Sequence, residues 1–83
     1  MKLKLYSIRD IQTNQYGNPM TLVSNGQAIR TFSTEVNRED KTNMMYTNPE
    51  DFELYQVGEF ETETGIITAT QPEQIATAKN LKT

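Results

Sequence analysis

The segment SNGQAIRTFSTEVN, Ser24–Asn37, constrains this chain more than any other. Ser24 and Gln27 stand at the S-x-x-Q spacing of a capping box. The serine oxygen would accept from the Gln27 backbone N–H, and the Gln27 side chain would return a bond to the Ser24 N–H. Ala28, Ile29, Phe32 and Val36 follow at helical spacing and form one apolar stripe. Arg30 and Glu35 fall off that stripe, and Asn37 can end the helix. One amphipathic helix needs one apolar surface to cover, and the flanking segments have the pattern of strands.

KLKLYSIRDI (Lys2–Ile11) reads as a strand. Leu3 and Leu5 share one parity and Tyr6 and Ile8 the other, so either a bulge switches the faces or both are partly covered. QTNQYGNP is a polar loop punctuated by Gly17 and Pro19, and MTLVS (Met20–Ser24) is a short second strand. Arg38–Thr47 has mixed charge and no period, as in a surface connection, with Met44, Met45 and Tyr46 as its anchors. NPED suits one helical turn, with Asn48 as N-cap and Pro49 first. FELYQVGEF is then a strand with apolar residues of both parities, the mark of a central strand or a subunit contact. Gly58 within it suggests a bulge or a close backbone approach. ETETG makes a hairpin loop with Gly65 at positive φ, and IITAT (Ile66–Thr70) is the return strand. The order β-β-α-β-β predicts an α+β domain over residues 1–70: a small antiparallel β-sheet with one helix packed on one face. Residues 71–83 read as a polar C-terminal tail, either frayed or a short helix carrying Ile75, Ala78 and Leu81.

The chain has 83 residues and a hydrophobic fraction of only 35%. A domain this size buries roughly 60–65% of the surface of its unfolded chain, so the core is thin. That, with the two-faced strand, predicts a homodimer. There is no cysteine and no histidine. Disulfides, thiolate chemistry and the usual general base are therefore missing, structural zinc is not expected, and no cofactor is called for. No apolar run is long enough for a membrane span or a signal peptide, so the expectation is a soluble intracellular protein with no membrane partner.

Six acids, Glu50, Asp51, Glu53, Glu59, Glu61 and Glu63, crowd one stretch. Glu50 and Asp51 suit the first turn of a helix, where the dipole favours them. The other four share one strand parity and would project from one side of an unbroken strand. Metal or acid–base chemistry needs such groups converging in a sheltered pocket, whereas a hairpin tip is wet. A solvated face is the expectation, ahead of a partner-selecting surface, with catalysis last. No glycine-rich phosphate loop or convergent carboxylate pair is present either, so the chain does not read as an enzyme.

The net charge is −3, unevenly spread. Residues 1–41 carry six bases against four acids, and residues 42–83 two bases against seven acids. Lys2, Lys4 and Tyr6 alternate along the first strand and so share a face, where two cations and a ring could track a single nucleic-acid strand. The competing view is an ordinary edge strand guarded by lysines. Arg9 adds to the basic set. Arg30 suits either a salt bridge or a phosphate or partner contact.

KLYSIRD, SNGQAIRTFSTEVN and NPEDFELYQVGEFETETG, in this order, resemble the small nonstructural protein of gokushoviruses, which are microvirus-type phages with single-stranded DNA genomes. Tyr6, Ser7, Ile8, Asp10, Gly26, Ala28, Arg30, Phe32, Pro49–Phe52, Leu54, Tyr55, Gly58 and Phe60 are among the matching positions, and the likeness covers roughly residues 4–65. Ser24 and Asn25 stand where the family often has Asn and Asp. The resemblance implies a non-virion protein of the host bacterial cytoplasm, linked to viral DNA synthesis or to the switch towards genome packaging, and often described as DNA-binding. It implies no enzyme activity and no cofactor. Two functional expectations follow. One is weak single-stranded DNA binding through Lys2, Lys4, Arg9 and Arg30 with Tyr6 stacking, on the side away from the acidic hairpin. The other is a protein–protein interaction module that docks on a phage replication or capsid-assembly protein or a host factor, without DNA contact.

Overall fold

The computed structural model describes residues 1–83. Five strands, β1 (Lys2–Asp10), β2 (Gln15–Tyr16), β3 (Met20–Leu22), β4 (Phe52–Glu61) and β5 (Ile67–Thr77), form one antiparallel sheet. Helix α1 (Asn25–Val36) supplies the core stripe, and the single turns α2 (Met44–Thr47) and α3 (Ala78–Leu81) pack beside it. The architecture is the expected α+β one. The spatial order is β2-β1-β4-β5, with β3 also on β1, so β2 and β3 are one return strand interrupted at Gly17–Pro19. The two-faced segment β4 is central, between β1 and β5.

Helix α1 starts as its sequence dictates. The Ser24 Oγ accepts from the Gln27 backbone N–H at 3.2 Å. The reciprocal bond shifts by one residue: the Gln27 Oε1 accepts from the Val23 N–H at 2.9 Å, ahead of the extended N-cap Ser24. Ala28, Phe32 and Val36 are fully buried and Ile29 half-buried. With Tyr6, Leu54 and Ala78 they form the core, which Ile8, Met20, Leu22, Met45, Phe52, Ile75, Ala76 and Leu81 flank. All three helices therefore cover the same side of the sheet. Leu3, Leu5, Tyr55 and Phe60 take no part in that cluster.

The return strand is longer than Ile66–Thr70. It runs through Pro72 to Thr77, and α3 then inserts Ala78 into the core. The proline is tolerated because the β4–β5 register steps there. Gly58 pairs with Ala69 and Gln56 with Glu73, which leaves Thr70–Pro72 opposite Val57 alone. A proline in an edge-strand bulge removes no ladder bond. Gly58 is also required by space: a Cβ there would lie 2.6 Å from the Thr68 carbonyl oxygen.

Two asparagines close the helical layer. Asn43 is 6% exposed. Its Nδ2 donates to the Glu35 and Arg38 carbonyls at 2.8 and 3.0 Å, and its Oδ1 accepts from the Met45 N–H at 3.2 Å. One side chain thus ends α1 and starts α2. Asn37 donates to the Ser33 and Leu81 carbonyls and accepts from the Thr83 N–H, tying α1 to the segment after α3. Asn48 precedes the 3-10 turn Pro49–Asp51 but makes no side-chain cap; its Oδ1 accepts from the Thr47 hydroxyl.

Candidate functional site

The pairing of β1 with β4 decides the fate of the basic set. Lys2 stands opposite Glu61, Lys4 opposite Glu59 and Arg9 opposite Glu53. Residues directly opposite in an antiparallel pair share a face and lie about 4.5–5.5 Å apart. Each base of β1 therefore has a carboxylate for a neighbour. The acidic strand does not lie across the molecule from the N-terminal bases; it is their hydrogen-bonded partner. That corrects the expectation of an unopposed basic side.

Lys2, Lys4 and Tyr6 do share one face, but it is the face the helices cover. Tyr6 is 0% exposed, and its hydroxyl donates to the Asn25 Oδ1 at 2.6 Å. Burial pushes the phenol pKa up. A ring held this way cannot stack on a base, so Tyr6 leaves the stacking role and becomes the sheet's main core residue. The cause is the antiparallel return of β3, whose Met20 pairs with Tyr6 and whose Leu22 leads straight into the α1 cap.

Arg9 points to the other, uncovered face. Its guanidinium lies 3.8 Å from the Glu53 Oε1, hydrogen-bonds the Asn14 Oδ1 and sits 6.0 Å from the Tyr16 ring centre. Tyr16 meets Tyr55 edge-on, with ring centres 5.5 Å apart. The Tyr55 hydroxyl donates to the Glu53 Oε1 at 3.0 Å, and the Gln74 Nε2 donates to the Glu53 Oε2 at 3.3 Å. Burial first, and then this contact with Glu53, raises the Tyr55 pKa. The sequence carried no signal for Tyr16, because a two-residue strand has no period to read.

The four acids expected on one side are divided by the register step at Val57. Glu53 pairs with Arg9 on the uncovered face, whereas Glu59 and Glu61 pair with Lys4 and Lys2 on the helix side. Glu61 also takes the Met1 amino group at 2.7 Å; that bond and the Glu63 backbone N–H lower its pKa. No group of three acidic side chains is placed to hold a metal ion.

Arg30 has the freest setting of the basic candidates. It is exposed on α1, with no carboxylate within 4.0 Å. It stands at the junction of two clefts along the flank of α1. One is formed by Val23, Ser24, Gly26, Gln27 and Thr31; the other, of about 480 Å³, is floored by Ile8, Met20 and Phe32. A third, smaller hollow continues from Ile8 and Met20 to Met45 and Phe52. Glu35 also borders the Arg30 cleft, but its carboxylate is engaged by Arg38 at 2.8 Å, which holds its pKa below the usual range. The groove thus joins an apolar, methionine-lined floor to one unpaired cation.

No helix is long and apolar enough to cross a membrane. The family model described as Phage ORF5 protein matches residues 3–81. No curated protein and no solved structure matches the chain.

Proposed function

The chain belongs to the Phage ORF5 protein family, and on that premise we propose that it is a nonstructural accessory protein of a single-stranded DNA phage that works by docking on another protein. The partner is a phage replication or assembly protein, or a host factor, and no chemistry is performed on it. The observation that carries this reading is the groove along α1. Ile8, Met20 and Phe32 offer a floor for an apolar side chain, and Arg30 offers an unpaired cation for a carboxylate. Methionines at the floor and end of such a groove adapt to the shape they receive. The fitting ligand is a segment with an apolar anchor next to an acid. The gokushovirus likeness supports a role around viral DNA synthesis or the switch to packaging.

Weak single-stranded DNA binding is the second reading, and one observation favours it. Lys2, Lys4 and Arg30 lack any ion pair within 4.0 Å and all lie on the helix side of the sheet. Against it stand Glu59 and Glu61 beside the two lysines and the burial of Tyr6.

The test is capture of partners by immobilised protein from phage-infected cells after nuclease treatment. Retention of a phage replication or assembly protein, lost in Arg30→Glu, supports the docking reading. Recovery of nucleic acid alone, in samples without nuclease, overturns it.

A further inference from the structure

No helix covers the sheet face opposite the core, although Ser7 is buried there with its hydroxyl donating to the Gly17 carbonyl at 2.7 Å. Register places Leu3, Leu5, Gly58, Phe60, Ile67 and Ala69 together at one end of that face, and Arg9, Tyr16, Glu53, Tyr55 and Gln74 at the other. The apolar end lies on the arm formed by the β4–β5 hairpin and the start of β1. The opposite side of that same arm carries Lys2, Lys4, Glu59 and Glu61. An arm with one charged and one apolar side has the pattern of a sheet layer whose apolar side is packed. Ile67 nevertheless stands 63% exposed.

We propose that a second copy of this chain packs on this uncovered face, the two sheets stacking about 10 Å apart about a two-fold axis. Charge identifies the occupant. In a chain of net charge −3, this face holds one cation and one anion, Arg9 and Glu53, already 3.8 Å apart. It offers a polyanion such as DNA no unpaired cation. A second copy meets no net charge there, because the Arg9 and Glu53 of each face neutralise each other. The size also fits. Four strands about 4.8 Å apart, at about 3.3 Å per residue, make a face on the order of 600 Å², near the roughly 800 Å² per partner of a standard interface. A face of this extent lies at the low end of the standard range and well short of an obligate dimer interface.

Neighbouring residues of nearly equal exposure provide the test. Ile67 is 63% exposed and shares the face with Phe60; Ile66 is 60% exposed and precedes the strand at the hairpin loop. Sedimentation equilibrium up to about 500 µM is run on the wild type, Ile67→Lys and Ile66→Lys, with circular dichroism confirming the fold. The expected result is a wild-type dimer, a dissociation constant at least about tenfold weaker in Ile67→Lys, and a change below about twofold in Ile66→Lys. A wild type that stays monomeric, or equal effects of the two lysines, overturns the proposal. The readout is mass of the purified protein, so it succeeds or fails independently of partner capture in the α1 groove.

Discussion

The hydroxyl of Tyr6, on β1, donates to the Asn25 Oδ1 at the first turn of α1, across 2.6 Å. This bond joins the sheet to the helix at the point where the capping box sets the helix start. Losing it leaves one neutral hydrogen bond unmade. Tyr6→Phe is expected to lower stability by about 1 kcal/mol. Urea unfolding monitored by circular dichroism should show a lower midpoint with an unchanged slope. The same variant should leave any DNA association unaltered, since the ring is inside.

Glutamates muffle the lysines of β1. In Glu59→Gln/Glu61→Gln, Lys2 and Lys4 lose their opposing carboxylates. Affinity for a single-stranded oligonucleotide should rise at low salt, with a slope of log affinity against log salt steeper by about 1.4, the value for two phosphate contacts. Fluorescence anisotropy over a salt series measures it. An unchanged slope would show that these lysines are not held in check by their neighbours.

Asn43 serves two helix ends with three hydrogen bonds while 6% exposed. Asn43→Ala abandons two carbonyls and one N–H of the helical layer. The expected cost is about 2 kcal/mol, or a melting temperature lower by roughly 8–16 °C for a domain of this size. Asn43→Asp, which sets a carboxylate against the Glu35 and Arg38 carbonyls, should cost at least as much near neutral pH.

Stability should decline at both extremes of pH and stay level between them. The Glu35 carboxyl lies below its ordinary 4.5 because Arg38 hydrogen-bonds it. A carboxylate whose folded pKa is depressed contributes stability above its unfolded pKa and loses it as pH falls through the folded one. The pair is largely exposed, so its share is small. Tyr6 acts in the opposite sense. Its folded pKa is raised above 10.0 by burial, so the stability of the neutral phenol is present below pH 10 and lost as pH rises beyond it. The sequence has no histidine, the residue whose ordinary pKa lies nearest neutrality. Thermal melts from pH 3 to 11 should give a plateau with two shoulders, and Arg38→Gln should weaken the acid shoulder alone.

Local signals were sufficient for α1, for the central place of β4, and for the close approach at Gly58. The Ser24–Gln27 pair, the two-faced FELYQVGEF and the glycine each carry their cause within a few residues. The side-chain partners of the basic residues were not legible, because register is set by contacts between segments about fifty residues apart. A single step at Val57 moves every following side chain to the other face and separates Glu53 from Glu59 and Glu61. The polar residues after Pro72 hid a strand, since an edge strand with one wet side and a bulge has little apolar period. Asn43, in a segment with no pattern, became one of the nine buried residues because its bonds are to backbone, which no spacing rule records.

The bases of β1 stand opposite the acids of β4, and the proposed preference for a protein partner over nucleic acid depends on that pairing. The most direct measurement is the binding of the wild-type protein to a single-stranded oligonucleotide across a salt series, by fluorescence anisotropy. The expected result is association too weak to saturate at about 100 µM protein and a salt slope below one phosphate contact, about 0.7. Saturable binding with a slope of two or more contacts, weakened by Lys4→Ala, would contradict it.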